Sequence, residues 1–355
     1  MLPYFILLFI VIICSLLAER AKSNKVIYNF YVGIVFLTLV LFAGLRNRSV
    51  GTDTGSYVSR YLSLDLDFMS IINDGGRIEL GYRLLENVAL LFSDQYIAIL
   101  MVISFVAVFF QLKGIYKISK QPVISLFVLI TFGIYTYVFN GARQALAAAI
   151  FVYAITYLIQ GNFKKYLLWI IIASLFHKSV ILGIPLYFFF RKKFTMKLFG
   201  FLLITTLVAI YFFNILIMYA GIISTQYLKY DEIDKQGGVY LTLAYVLLSS
   251  FFILIRPKIK PFFKANYDIY LNMFLFGTVV YLVVFFTGAY VEMTRLALYY
   301  ILSTIFIWPI IFKSLKQSEI VFVFVSFLVV HFTFFFIFIG KMSNLNPYLL
   351  NSSIF

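Results

Sequence analysis

Five short stretches of the chain carry side chains suited to chemistry. The first runs Arg46-Asn47-Arg48-Ser49-Val50-Gly51-Thr52-Asp53-Thr54-Gly55-Ser56-Tyr57. Its glycines permit tight turns and close approach of a ligand. Asp53, between two threonines, suits a general base or a carboxylate that orients a hydroxyl; a polar turn with Asp53 capping the next helix accounts for the same residues. The second stretch, Glu79 to Glu86, places Glu79, Arg83 and Glu86 opposite an apolar face of Ile78, Tyr82, Leu85, Ala89 and Phe92. Either these charges pair with one another on an interfacial helix, or Glu79, nearest the turn, acts in a site. The third, Asn140-Gly141-Ala142-Arg143-Gln144, opens an apolar run. An arginine there opposes the helix dipole, which makes sense if it and the free helical N–H groups hold an anion. Snorkelling to lipid headgroups is the alternative. The fourth, Phe176-His177-Lys178-Ser179, pairs a proton-transfer group with a cation for phosphate; a buried structural histidine also fits. The fifth, Glu292-Met293-Thr294-Arg295, is either a local ion pair or a functional arginine at a membrane surface.

The elements that hold these residues are membrane-spanning. Of 355 residues, 63% are hydrophobic and 12% charged, against about 45–50% and 25% in soluble domains. Apolar runs fall at 2–18, 26–45, 94–112, 121–139, 144–160, 166–190, 198–219, 239–255, 267–287, 294–312 and 320–340. At about 20 residues per crossing, they predict an all-α polytopic bundle of 11–12 membrane segments. The whole chain reads as one transmembrane domain, with non-spanning loops at 46–93 and 220–238. The first run lacks a basic start and a cleavage site, so it reads as a span rather than a removable leader. The lone cysteine, Cys14, excludes an internal disulfide. His331, in a phenylalanine-rich run, reads as packing or lipid-facing. The Asp231-Glu232-x-Asp234 cluster reads as solvated surface. Phosphate loops, zinc motifs and nucleophile elbows are absent, so nucleotide-driven transport is unsupported; no cofactor is expected and no metal ligands are assigned.

The formal charge of +15 does not point to nucleic acid, because the basic residues sit in short clusters between apolar runs, as topology signals do. Run 166–190 has His177-Lys178 at its middle, where a lone charge costs about 2.5–3.5 kcal/mol. If the run is a broken or re-entrant pair instead of one span, 18 of the 29 basic residues fall on one side. That side is then cytoplasmic, and both termini lie outside. The cytoplasmic set is 15 Lys and 3 Arg; the other is 7 Arg and 4 Lys. Topology requires only charge, whereas arginine offers a fork for phosphate or carboxylate. An anionic ligand is therefore expected on the outer face, and buried charge is expected to be scarce toward the inner face.

Taken in order, R-x-R-x-V-G-T-D-T-x-x-Y, E-x-G-Y-x-L-L, R-Q-x-x-A and S-L-F-H-K-S resemble the EpsG family, grouped with Wzy-type polysaccharide polymerases. The similarity runs from the second span to about Arg295. It implies a GT-C-like glycosyltransferase in the bacterial cytoplasmic membrane, acting on its outer face. The donor would be an oligosaccharide repeat unit on undecaprenyl diphosphate, with membrane lipids around it and a polysaccharide chain-length regulator as partner. Asp53 is the positional match to the acidic base of that broad class; Glu79 and His177 are the other catalytic candidates. Arg46, Tyr57, Arg143, Gln144, Lys178 and Arg295 are the substrate-binding candidates. Arg46, Asp53, Arg143, His177 and Arg295 are expected in one outward cavity. Two other functions compete: a flippase for lipid-linked oligosaccharide, and a membrane acyltransferase centred on His177.

Overall fold

The structure, a computed structural model, describes residues 1–66, 78–213, 215, 238–288 and 291–351. The acidic cluster at 231–234, Lys229, Lys235, Arg77, most of the 220–238 loop and the Glu292 side chain lie outside the described residues. The described chain is all-α, with nine helical stretches long and apolar enough to cross a membrane. Its contacts divide into two compact units, residues 1–184 with 316–355, and residues 185–315.

In the first unit, α1 (Leu2–Arg20) packs on α2 (Lys25–Gly44), and α2 on α5 (Tyr96–Ile118). Two short helices, α3 (Thr54–Leu62) and α4 (Leu80–Leu90), precede α5, and α6 (Pro122–Thr131) follows it. α7 (Ala142–Gln160) lies between α5 and α8 (Phe163–Ser174). The alanines at the start of α7 are all buried. Small residues let backbones approach where lipid supplies no hydrophobic drive. His331 is 1% exposed, bonded to Thr131 Oγ1 at 2.8 Å and packed at tilted angles among the Phe127, Phe132 and Phe327 rings. It packs, as its surroundings in the sequence suggest.

The run at 166–190 is broken as expected. Asn162 caps α8 by accepting from the Lys165 N–H at 3.1 Å. The helix ends at Ser174, and a 3₁₀ turn occupies Lys178–Leu182. The chain has then doubled back, because Tyr166 near the start of α8 donates to the Gly183 carbonyl at 3.0 Å. A Cβ at Gly183 would lie 3.0 Å from that same hydroxyl, so the glycine lets the arms close. His177, between them, is extended at φ −160° and ψ 118°.

α9 (Gly183–Phe190) begins at the end of the first unit and carries the chain into the second, where α10 (Met196–Tyr211) precedes α11 (Val239–Ile255) and the 27-residue α12 (Pro261–Thr287). α13 (Leu298–Ile301) and α14 (Thr304–Ser314) end the unit, and α15 (Gln317–Ile337) returns to the first. One expectation fails here. Asp268, only 3% exposed, takes Arg256 at 2.7 and 2.8 Å and the Phe194 N–H at 3.1 Å. Asn272 donates to the Phe190 and Lys192 carbonyls. The lysine-rich side therefore does hold buried charge. Its ion pair is internally satisfied and ties a connector, so it escapes a reading based on apolar runs.

Candidate functional site

The loop after α2 is built inward from Arg46. Arg46 is fully buried. Its guanidinium donates to the Ala43 carbonyl and, at 3.3 and 3.2 Å, to Thr54 Oγ1, and it lies 4.2 Å from the centre of the Phe139 ring. Thr54 in turn donates to the Phe139 carbonyl at 3.0 Å. Gly51 has φ +98°, and a Cβ there would fall 2.5 Å from the Phe139 oxygen. Only glycine permits that turn and that approach. The Thr52 N–H donates to Asn140 Oδ1 at 2.8 Å, and the Ala142 N–H to the Tyr57 hydroxyl at 3.1 Å. The loop carrying Asp53 is thereby docked on the segment that opens α7, one residue from Arg143. Arg46 serves as a strut under the loop. Its burial and internal bonds remove it from a clamp open to a ligand.

Asp53 stands at the N-cap of α3, half-buried, and its side chain makes no capping bond to that helix. The capping account of Asp53 is thus not what the fold uses. Gln144, 5% exposed, accepts from the Tyr137 hydroxyl at 2.8 Å. The Tyr57 and Tyr82 rings lie 5.8 Å apart.

Glu79 immediately precedes α4. Two residues on, the Gly81 N–H donates to the Leu175 carbonyl at 2.7 Å, and a Cβ there would lie 2.8 Å from that oxygen. The glycine of the E-x-G stretch thus fastens α4 to the tip of the hairpin. Glu79 consequently meets both remaining segments. Its Oε2 accepts from Arg143 Nη1 at 2.6 Å, and its Oε1 lies 3.2 Å from His177 Nδ1. Glu79 is 10% exposed, while Arg143 and His177 keep about a third of their side-chain surface open. Burial alone would raise the Glu79 pKa; the hydrogen bond from His177 and the Arg143 charge outweigh it and hold the carboxyl at about 2.

That ionisation fixes the histidine. A carboxylate only accepts, so His177 Nδ1 carries the proton and donates it to Glu79. In the neutral ring Nε2 is then the basic nitrogen. Arg143 keeps its other N–H donors for an anion. Lys178, next to His177, is exposed. The arrangement can take a proton at His177 Nε2 beside a cationic face.

Arg83 and Glu86 do not lie on a solvated face. Glu86 is 1% exposed and takes Arg60 at 2.8 and 3.2 Å, joining α4 to α3. Nothing local signals a pair 26 residues apart. Arg295 belongs to the second unit, half-buried in the short helix Val291–Ala297. Among the described residues no three His, Cys, Asp or Glu side chains gather as a metal site requires.

A family model described as the EpsG family matches residues 29–350. No curated protein and no solved structure matches the chain.

Proposed function

Because the chain belongs to the EpsG family, a Wzy-type polysaccharide polymerase family, we propose that the Glu79 cluster is the active site of a lipid-linked glycosyl transfer. The observation that carries this is one carboxylate bridging Arg143 and His177, drawn from three segments far apart in sequence. The hydroxyl of an acceptor sugar attacks the anomeric carbon of the donor repeat unit. Its proton passes to His177 Nε2. The bond from that carbon to the diphosphate oxygen breaks, and undecaprenyl diphosphate leaves with the electron pair. Arg143 and Lys178 meet the charge that develops on it. Glu79 orients the imidazole and stabilises the imidazolium that forms, as the carboxylate of a Ser-His-Asp triad does. With a pKa of about 2, Glu79 is itself a poor base, since an efficient base titrates near the working pH.

Asp53 takes the second role, orienting the attacking hydroxyl, because its loop is bonded to the segment beside Arg143. Tyr57, beside Tyr82, supplies an aromatic wall for a sugar ring. The excess of lysine in the connectors at the opposite end supports a reading in which this end of the bundle faces outward from the bacterial cytoplasmic membrane. The test is purified protein with a lipid-linked repeat unit. A ladder of products is expected, with His177→Ala lowering its rate about 100-fold or more. Transfer of unextended units across vesicles, with no ladder, would establish the flippase reading instead.

A further inference from the structure

A second cluster occupies the other end of the same helices. α5 and α7 approach closely at Gly114, where a Cβ would lie 2.8 Å from Val152 Cγ1 and 2.9 Å from the Val152 oxygen. That contact sets two lysines of α5 against two tyrosines of α7. Lys113 Nζ is 4.8 Å from the Tyr153 ring centre. Lys117 Nζ is 5.2 Å from Tyr153 and 4.9 Å from Tyr157. Lys165, in the first turn of α8, brings its Nζ to 5.8 Å from Tyr157. The two tyrosine hydroxyls share a hydrogen bond of 3.1 Å, and Trp169 of α8 packs edge-on to Tyr153 at 4.8 Å.

Three ammonium groups from two helices thus converge on an aromatic wall provided by a third. Among the described residues none of the three pairs with a carboxylate. Aromatic faces attract cations but supply no counter-ion. Lys113 and Lys117 share the Tyr153 ring, and Lys117 and Lys165 share the Tyr157 ring, so like charges are gathered on one wall and repel. The surface leading to them is apolar. Phe105 and Phe109 are 52% and 41% exposed, stacked at 6.5 Å with nearly parallel rings. They precede Lys113 and Lys117 at four-residue steps, which is one stripe of a helix. The stripe is apolar toward the middle of the membrane and cationic at its end. A free anion would need only the lysines, whereas an acyl chain with a phosphate at its head matches the whole stripe.

We propose that Lys113, Lys117 and Lys165 form a binding site for the phosphate of an anionic phospholipid in the lysine-rich leaflet, with its acyl chain along Phe105 and Phe109. The bound phosphate braces α5, α7 and α8. This holds whatever reaction the Glu79 cluster carries, because it stands on separate residues. The chain has two tryptophans, so Trp308→Phe leaves Trp169 as a reporter beside the site. This protein is placed in nanodiscs of phosphatidylcholine with rising phosphatidylglycerol. A saturable change in Trp169 emission is expected, absent in phosphatidylcholine alone. Combined Lys113→Gln, Lys117→Gln and Lys165→Gln should raise the half-saturating fraction at least ~10-fold, the change expected from losing about 1.4 kcal/mol. Arginine at the three positions should preserve it, and so should glutamine at Lys192, Lys193 and Lys197. An unchanged half-point in the first variant overturns the site. So does an equal response to inorganic phosphate in phosphatidylcholine discs, which would need no acyl chain.

Discussion

At the scale of single residues, what matters is how an arginine is used. Arg46 and Arg143 look alike in sequence, each beside glycine and asparagine in a polar stretch. Arg46 is fully buried, with its guanidinium on the Phe139 ring and its N–H groups bonded to Ala43 and Thr54, whereas Arg143 gives one N–H to Glu79 and keeps about a third of its surface. Arg143→Lys can keep the single contact to Glu79 but loses the planar fork. A charge-assisted bond contributes roughly 1.5–3 kcal/mol, so polymer yield should fall about 10- to 100-fold. Yield equal to the parent protein would exclude a forked grip on phosphate. Glu79 offers a second readout. Its pKa in the folded protein, about 2, lies below that of a free glutamate. Its ionised form therefore adds stability above the free value, and that contribution disappears as pH falls toward 2. The melting temperature should drop over that acid interval, and Glu79→Gln should flatten the drop. An identical acid slope in the variant would mean the cluster adds no pH-dependent stability.

At the scale of elements, the site depends on glycine contacts and on a strap. Gly81→Ala would drive a Cβ into the Leu175 carbonyl, separating α4 from the hairpin tip and Glu79 from His177. Activity should be lost while insertion in the membrane persists, which membrane fractionation beside the ladder assay will show. The strap is residues 344–351, which run along the loop after α2. The Gly51 and Asn47 N–H groups donate to Asn344 and Leu349, and the Asn351 N–H donates to Leu45. Tyr348 stacks on Phe42 at 4.2 Å and donates to its carbonyl at 2.6 Å. Tyr348→Ala should lower the rate with the protein still inserted, and Tyr348→Phe, which keeps the stack, should recover much of it. Equal rates for both variants would show that the stack does not hold the loop. None of this strap is legible in sequence, since its partners lie some three hundred residues away. The Arg60–Glu86 pair is hidden for the same reason, and Asp268 is hidden inside an apolar run. Local cues did single out Glu79, Arg143 and His177 as candidates, because each stands where a helix begins or breaks; that the three meet is a contact between distant segments that no local cue carries.

At the scale of the whole molecule, one break in one run decides the direction of everything after it. Hydropathy alone reads 166–190 as a crossing, because its length and composition suffice. Lysine counting opposes that reading, and the bond from Tyr166 to Gly183 gives the physical basis for a return. A crossing helix would separate those two residues by seventeen positions, about 25 Å of rise. The topology can be tested with single cysteines, because Cys14 is the one native thiol. In a Cys14→Ser background, cysteines at Asn162 and Lys193 should react with a membrane-impermeant maleimide only after the membrane is opened. A cysteine at Ser49, in the loop docked beside Arg143, should react in intact cells. If 166–190 crossed, Lys193→Cys would instead label from outside, and every later connector would change sides with it. The lysines would then divide between the two faces, and the bias that gives this chain its orientation would vanish. Opposite accessibility at 162 and 193 would therefore refute the hairpin, and a Ser49 cysteine that labels only after the membrane is opened would refute the outward placement of the Glu79 cluster.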